Sequence, residues 1–159
     1  MNRNLIPLAA AALIVIGGCR ESTAPDGPRV LPSGATFVVK ARQAGFRGTD
    51  TAYVDIILAN PRDTTITLRF DTECEILPYV LKPDGEPLFP YGFYSCGNGR
   101  HDKVLAAGVA DTVVISLNYD PVNMAPLEPG RYDFMADIGP FVSGQRLVRS
   151  NRVGVRYTR

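Results

Sequence analysis

A histidine, an aspartate and a serine that lie close together in the sequence are the residues whose types could support catalysis. His101 is followed directly by Asp102, and Ser95 lies shortly before them. In hydrolases a histidine acts as the base for a serine nucleophile while a carboxylate orients the histidine. The chain has a single histidine, however, and no G-x-S-x-G elbow surrounds a serine. We therefore predict an exposed loop histidine and no enzymatic activity.

Three carboxylates alternate around a cysteine in the segment DTECE. In an extended backbone, Asp71, Glu73 and Glu75 would project from one face. Oxygen clusters of this kind suit hard cations such as Ca²⁺, which needs six to eight oxygen ligands. No EF-hand-like loop accompanies these three residues, so a solvated edge protected by charge is the preferred interpretation and no metal site is predicted.

Five arginines crowd the C-terminal segment without an acidic residue among them. They are Arg146, Arg149, Arg152, Arg156 and Arg159. Arginine pairs bidentately with carboxylate and phosphate, so the cluster could contact anionic lipid headgroups, a phosphate-bearing polymer or an acidic partner. Strand alternation would divide the five between two faces and leave about three together. A solvated strand face that discourages edge pairing is the preferred alternative.

Residues 91–102, YGFYSCGNGRHD, combine glycines, aromatic residues and a cysteine without a clear period. Aromatic residues are enriched at interfaces because they bury a large area at modest entropic cost. We take this segment as the candidate binding loop. Packing of its aromatic residues beneath a disulfide through Cys96 explains them equally well and is the preferred interpretation. The named residues of the loop are Tyr91, Phe93, Tyr94, Arg100 and His101.

The chain begins MNRNLIPLAAAALIVIGGC. Arg3 precedes an apolar run over residues 5–16, which matches a secretory h-region and is shorter than the roughly 20 residues of a membrane-spanning helix. Ile16, Gly17 and Gly18 before Cys19 resemble the lipobox of bacterial lipoproteins. The resemblance implies removal of residues 1–18 and lipidation of Cys19, the membrane contact of the protein. An ordinary cleaved signal and an uncleaved anchor are the alternatives.

Residues 20–34, RESTAPDGPRVLPSG, have the composition of a linker. We predict a flexible linker over residues 19–34 and one folded domain over residues 35–159. In the lipoprotein family an aspartate directly after the lipidated cysteine favours retention at the inner membrane. Arg20 occupies that position here, which favours an extracytoplasmic location at the outer membrane.

The lipobox resemblance accounts for Cys19 and leaves Cys74 and Cys96 as a pair, which an oxidising compartment would join in a disulfide. Two buried free thiols or half of a metal site are the alternatives, and the absence of a CxxC motif argues against metal.

The chain has 17 basic and 16 acidic residues, so removal of Arg3 leaves the two numbers equal. Such a balance argues against nucleic-acid binding.

Apolar residues alternate along several segments with a period of two, the pattern of strands that bury one face. The clearest are TAYVDIILAN, TTITLRF, DTVVISLNY, RYDFMADI and SNRVGVRY. The turns between them carry Asn60-Pro61-Arg62-Asp63 and Lys82-Pro83-Asp84-Gly85. No window sustains a helical stripe. We predict an all-β, antiparallel immunoglobulin-like sandwich of seven to eight strands.

Several of these segments, in order, resemble the BsuPI type of intracellular proteinase inhibitor: ILAN, ITLRF, YVLKPDG and LEPGRYDF. The resemblance covers residues 52–137 and implies an immunoglobulin-like sandwich. Its most specific part is LEPGRY, where Tyr132 is similar to the tyrosine corner of sandwich domains. The chain lacks the tryptophans common in that family, and no inhibitory residue carries over.

We therefore expect a non-catalytic, lipid-anchored protein of the cell envelope, without a cofactor, whose domain binds an unknown protein partner. Inhibition of a protease through an exposed loop is the alternative function.

Overall fold

A computed structural model describes residues 27–88, 96–121, 123–139 and 147–159. These residues form eleven strands. In chain order they are β1 (Arg29–Val30), β2 (Thr36–Ala41), β3 (Gly45–Arg47), β4 (Ala52–Ala59), β5 (Ile66–Phe70), β6 (Ile76–Leu81), β7 (His101–Leu105), β8 (Ala110–Leu117), β9 (Gly130–Ile138), β10 (Val148–Arg149) and β11 (Val153–Thr158). None of the described residues belongs to a helix that could cross a bilayer.

The strands form two main sheets and a small third one. Sheet A has the order β1-β2-β4-β8, whereas β5 and β7 pair as a separate two-stranded sheet, sheet C. In sheet B, β9 pairs with β6 on one side and with β10 and β11 in succession on the other, and β3 follows β11 at the edge. All pairings are antiparallel except that of β3 with β11. The predicted all-β sandwich is confirmed, with eleven strands rather than seven to eight.

The core lies between the sheets and follows the predicted alternation. Ala52, Val54, Ile56 and Leu58 of β4 are fully buried, and Ile66, Leu68 and Phe70 of β5 are buried as well. On β9 the residues that face the core are Tyr132, Phe134, Ala136 and Ile138. Alternate side chains of a strand point to opposite faces, so one residue in two builds the core. Met135 and Asp137, on the other face of β9, are buried as well.

Two turns have the chemistry that the sequence predicts. Asn60 is buried at the end of β4, where its Nδ2 donates to the carbonyls of Thr64, Leu105 and Ala106 and its Oδ1 accepts from the Arg62 N–H. After β6, Gly85 has a φ of 87°, a left-handed conformation that suits glycine. These contacts explain why the strands end where they do.

The tyrosine corner is present before β9. The hydroxyl of Tyr132 donates to the Glu128 carbonyl at 3.0 Å, and the residue is almost fully buried. Gly130 begins the strand with a φ of 151°, which favours glycine, and a Cβ there would also collide with the Pro83 ring. The corner fixes the entry of β9, the strand around which sheet B is built.

Four short strands lie outside the periodic segments. β1 pairs Arg29 with Phe37 inside the segment predicted as linker, and Leu31 just after it is buried. β3, β7 and β10 also have no clear alternation in the sequence. Such short strands form because a neighbouring strand supplies their hydrogen-bond partners, which is a tertiary effect.

Candidate functional site

Part of the predicted site lies outside the described residues. This applies to the lipidation site Cys19, to Tyr91, Phe93, Tyr94 and Ser95 of the candidate binding loop, and to Arg146 of the arginine cluster. The described part of the loop runs from Cys96 to Asp102. It contains the disulfide, Arg100 and His101, and these determine how the base of the loop is held.

Cys74 and Cys96 form the predicted disulfide, with their Cα atoms 5.3 Å apart. The bond joins the β5–β6 connection to the segment before β7, and the Glu73 N–H donates to the Gly97 carbonyl at 3.1 Å beside it. A Cβ at Gly99 would come 2.9 Å from Glu73 Cγ, so glycine lets the two segments approach closely. The base of the loop is therefore fastened to β6.

The three carboxylates around Cys74 do not converge. β5 ends at Phe70 and β6 begins at Ile76, so residues 71–75 form mainly bends, and the extended backbone that would project the three carboxylates from one face is not present. Asp71 faces Arg100, Glu73 packs over the glycines of the loop, and Glu75 binds residues of β7. Among the described residues no group of three or more His, Cys, Asp or Glu could hold a metal ion.

His101 is the first residue of β7 rather than an exposed loop histidine. Its ring stacks on Phe70 with centroids 5.4 Å apart, because the two residues are cross-strand neighbours. Nε2 lies 2.9 Å from Glu75 Oε1 and Nδ1 lies 3.2 Å from the Gly99 carbonyl. Both partners are acceptors, so the protonated ring satisfies both. The hydrogen bond to Glu75, followed by that to Gly99, raises the pKa of His101.

Lys103 extends this network to a third element. Its Nζ lies 2.7 Å from Glu75 Oε2 and 2.7 Å from Asp111 Oδ2, so one ammonium group links the β5–β6 connection, β7 and β8. Burial alone would lower the pKa of Lys103, but the hydrogen bonds to Asp111 and Glu75 outweigh it and the pKa is raised. We name Glu75, His101, Lys103 and Asp111 the charge network.

The network is not the arrangement of a hydrolase. Asp102, the expected orienting carboxylate, lies on the other side of β7 and faces Arg69 at 3.5 Å. His101 binds Glu75 instead, and both of its ring nitrogens are engaged. A general base needs a free nitrogen directed at its nucleophile. The contacts of the charge network join the β5–β6 connection, β7 and β8.

A second candidate surface surrounds the open edge of β8. Val113 and Val114 of β8 are 40% and 47% exposed, and Val104 of β7 is 64% exposed. Val109 and Tyr119 flank β8 in the sequence and Tyr53 lies on its partner β4, and all three add exposed apolar area. Alternation along the sequence groups Val113 with Ile115 and Leu117 on one face. Val113 is nevertheless exposed, because among the described residues β8 has a strand neighbour, β4, on one side only, which no periodicity reveals.

The arginines form a third surface, on the outer side of sheet B. Arg149 and Arg156 lie in outward register positions, and Arg152 reaches Asp133 on that side. Arg131 of β9 stands opposite Arg156, and Arg47 of β3 stands one strand further out. The prediction that about three of the C-terminal arginines share a face agrees with these positions. Arg131 and Arg47 lie on the same face as these C-terminal arginines because of the strand order, which the sequence does not reveal.

We name the outward-facing surface of β9, β10, β11 and β3 the arginine face. Two carboxylates hold part of it in place. Asp137 accepts from Arg149 Nε and Nη2 at 2.8 and 2.9 Å, and Asp133 accepts from Arg131 Nε at 2.7 Å. The first of these contacts raises the pKa of Arg149.

No family model matches the chain, and no curated protein matches it. Among solved structures, the chain is similar to a β-glucosidase, EmGH1, from Erythrobacter marinus (TM-score 0.42, 15% identity) and to a β-glucosidase from Listeria innocua (TM-score 0.40, 14% identity). It spans only 16% of the length of these enzymes, which cover 78% and 77% of it.

The C-terminal domain of wzt is also similar, with a TM-score of 0.35 and 12% identity. That match covers 77% of this chain and 71% of the domain. Likenesses at this level carry no argument about function, which must be argued from the residues themselves.

Proposed function

We propose that this chain is a non-catalytic, lipid-anchored protein of the bacterial envelope whose sandwich domain binds a protein partner. The observation that carries the proposal is the open, apolar edge of β8. The lipobox resemblance at Cys19 and the disulfide between Cys74 and Cys96 support an extracytoplasmic location, because disulfides persist in oxidising compartments.

The backbone of β8 is available for a further strand. Within the described residues β8 pairs only with β4. The Asn60 N–H donates to the Val109 carbonyl, so these two residues face each other as a hydrogen-bonded pair just beyond the ends of β4 and β8. In an antiparallel ladder every second residue from such a pair hydrogen-bonds the partner strand. Odd-numbered residues of β8 therefore turn their backbone groups to β4, and Thr112, Val114 and Ser116 turn theirs to the open side.

The side chains of β8 do not protect this edge. Natural edge strands are usually guarded by lysine, proline or a bulge. β8 has the sequence ADTVVISL, and its one charged residue, Asp111, is held by Lys103 of β7. An extended peptide added to such an edge gains main-chain hydrogen bonds, while the exposed valines supply apolar contact.

Site-specific photo-crosslinking in intact cells tests the edge. With the photoreactive residue at Thr112, we expect an adduct of defined mass. The matched control is Val30, which is 71% exposed on β1 at the opposite edge of sheet A and should give none. The Val114 N–H faces the open side of β8 and makes no hydrogen bond to β4. Adding Val114→Pro removes this N–H and should abolish the adduct. Equal adducts at both edges, or none, would contradict the proposal.

The anchor has its own test. The protein purified from membranes should have the mass of a chain that begins at Cys19 and carries acyl chains, and Cys19→Ala should move it to the soluble fraction. Stable anchoring requires more than one acyl chain, since each buried CH₂ contributes about 0.8 kcal/mol. An unchanged membrane fraction in the Cys19→Ala variant would rule out lipidation of this residue.

Protease inhibition through residues 91–102 is the second candidate function. The favouring observation is the way its base is held by the disulfide, by the Glu73–Gly97 hydrogen bond and by the Arg100–Asp71 pair at 3.2 Å. A loop held in one conformation resists cleavage and loses little entropy on binding. A panel of secreted proteases separates the two functions: an inhibitor slows at least one of them, and Arg100→Ala weakens the effect, whereas an interaction module leaves every rate unchanged.

A further inference from the structure

The arginine face carries more positive charge than its own carboxylates neutralise. Its five arginines are Arg47, Arg131, Arg149, Arg152 and Arg156. Its two carboxylates are those of Asp133, which faces Arg131 and Arg152 at 2.7 and 3.6 Å, and Asp137, which binds Arg149. Asp50, which lines the same groove as Arg47 and Arg156, is a third carboxylate beside the face, so the excess is two positive charges. The acids hold Arg131, Arg149 and Arg152, and each guanidinium group has five N–H donors, more than these contacts use.

The positive charge is arranged in a line. Arg149, Arg152 and Arg156 follow one another from β10 to β11. Arg149 and Arg156 lie opposite Asp137 and Arg131 of β9, so strand geometry places their backbones about 20 Å apart. Arg131 extends across Gly154, where any Cβ would collide with its guanidinium group. Glycine at this position leaves the face flat. A flat, linear array of cations suits an extended polyanion better than a compact anion.

An open groove of about 560 Å³ lies at the β3 end of this line. Arg47, Asp50, Arg156, Phe46 and Thr158 are among the residues that line it. Neither Arg47 nor Arg156 has an ion-pair partner among the described residues. The volume is within the range of small-ligand clefts. Two guanidinium groups can bind a carboxylate or phosphate by their forked N–H donors, and the Asp50 carboxylate can accept from hydroxyl groups.

An anion flanked by hydroxyl groups is the chemistry of an acidic sugar. A lipid surface fits less well, because interfacial binding also needs apolar side chains that insert among the acyl chains. On the arginine face the central apolar residue, Met135, is buried, whereas Val109, Val113 and Val114 are exposed on or beside β8 of sheet A. Nucleic acid would be expected to stack its bases on exposed aromatic residues, and the groove residues offer none that is exposed.

We propose that the arginine face binds an acidic polysaccharide, with Arg47 and Arg156 holding one carboxylate or phosphate group and the line from Arg156 to Arg149 following the polymer. The site is on the opposite sheet from the β8 edge. Polysaccharide binding at the arginine face goes beyond the proposed protein interaction at β8, and neither one depends on the other.

Binding of the purified full chain to polygalacturonate and to phosphomannan tests the proposal, and it separates a carboxylate from a phosphate ligand. We expect binding to at least one of them, weakened by salt, and no binding to neutral dextran. Arg47→Gln with Arg156→Gln should weaken it at least tenfold. Arg47→Lys with Arg156→Lys keeps the charge but loses the forked N–H donors of the guanidinium groups, so its affinity should lie between those of the parent and the glutamine variant.

The matched control is Arg69→Gln with Arg100→Gln, which removes the same charge from exposed arginines of sheet C and the loop base. It should leave binding unchanged, and all variants should keep the thermal midpoint of the parent. Failure to bind either polymer, or an equal loss in the control, would overturn the proposal. Binding to phosphatidylglycerol vesicles but to neither polymer would overturn the proposal in favour of a lipid surface. Binding to DNA as tight as to the polymers would overturn it in favour of nonspecific electrostatic attraction.

Discussion

The side-chain amide of Asn151 hydrogen-bonds both backbone groups of Val39, a residue 112 positions away in the sequence. Asn151 Oδ1 accepts from the Val39 N–H at 2.8 Å, and Nδ2 donates to the Val39 carbonyl at 2.9 Å. β1 pairs with β2 only as far as Phe37, so no strand of the described residues pairs with the outward backbone groups of Val39. The buried amide of Asn151 takes the place of a strand and connects sheet B to sheet A.

We expect Asn151→Ala to lower the free energy of unfolding by about 2 to 4 kcal/mol, because it leaves a buried N–H and a buried carbonyl without partners. Asn151→Asp keeps only the acceptor and should also destabilise. Asn118→Ala changes an exposed asparagine and serves as the control. Denaturant unfolding measures the difference, and equal stabilities for Asn151→Ala and Asn118→Ala would contradict the expectation.

Reduction of the Cys74–Cys96 disulfide should lower the thermal midpoint. Closing a loop of this length contributes about 3 kcal/mol in the chain-entropy model. For a domain of this size that corresponds to a decrease in Tm on the order of 10 °C. Calorimetry with and without reductant makes the comparison. The Cys74→Ala, Cys96→Ala double variant should melt at the reduced value and be insensitive to reductant, and two thiols that titrate before reduction would contradict the assignment.

Stability should depend on pH through His101. The hydrogen bond to Glu75 raises the folded-state pKa above the ordinary value of about 6.5, so the protonated ring stabilises the fold. That contribution is complete below the unfolded-state pKa and is lost as the pH rises through the folded-state pKa. The gap in Tm between the parent and His101→Gln should therefore be larger at pH 5.5 than at pH 8.5.

The matched control for His101 is Asp102→Asn, the neighbouring residue on the outer side of β7. Its gap in Tm from the parent should be the same at both pH values, because this substitution leaves the His101 ring and its contacts with Glu75 and Gly99 in place. A gap for His101→Gln that does not change with pH would show that the imidazole contributes by stacking on Phe70 alone.

Removal of the tyrosine-corner hydroxyl should cost about 1 kcal/mol. Tyr132→Phe keeps the buried ring and loses the 3.0 Å hydrogen bond to the Glu128 carbonyl. Tyr119→Phe removes the same group from an exposed side chain and should leave stability unchanged. Urea denaturation distinguishes the two variants, and an unaffected Tyr132→Phe would mean that water replaces the lost partner.

The sequence by itself determined the fold class and the long strands. Alternation identified the buried faces of β4, β5 and β9, because each buries every second residue and the pattern is local. Turn residues such as Asn60 and Gly85 marked strand ends, and LEPGRY indicated the corner at Tyr132. The pairing of Cys74 with Cys96 also followed, through the resemblance that set Cys19 aside.

Only the tertiary structure decided which residues meet. His101 was predicted in a loop and lies in β7 because β5 supplies its hydrogen-bond partners. Val113 alternates like a core residue yet is exposed, since sheet order makes β8 an edge. Arg47 and Arg131 join the C-terminal arginines through strand pairing across long separations. Local patterns record which face of a strand is apolar, whereas neighbours and edges depend on packing of the whole chain.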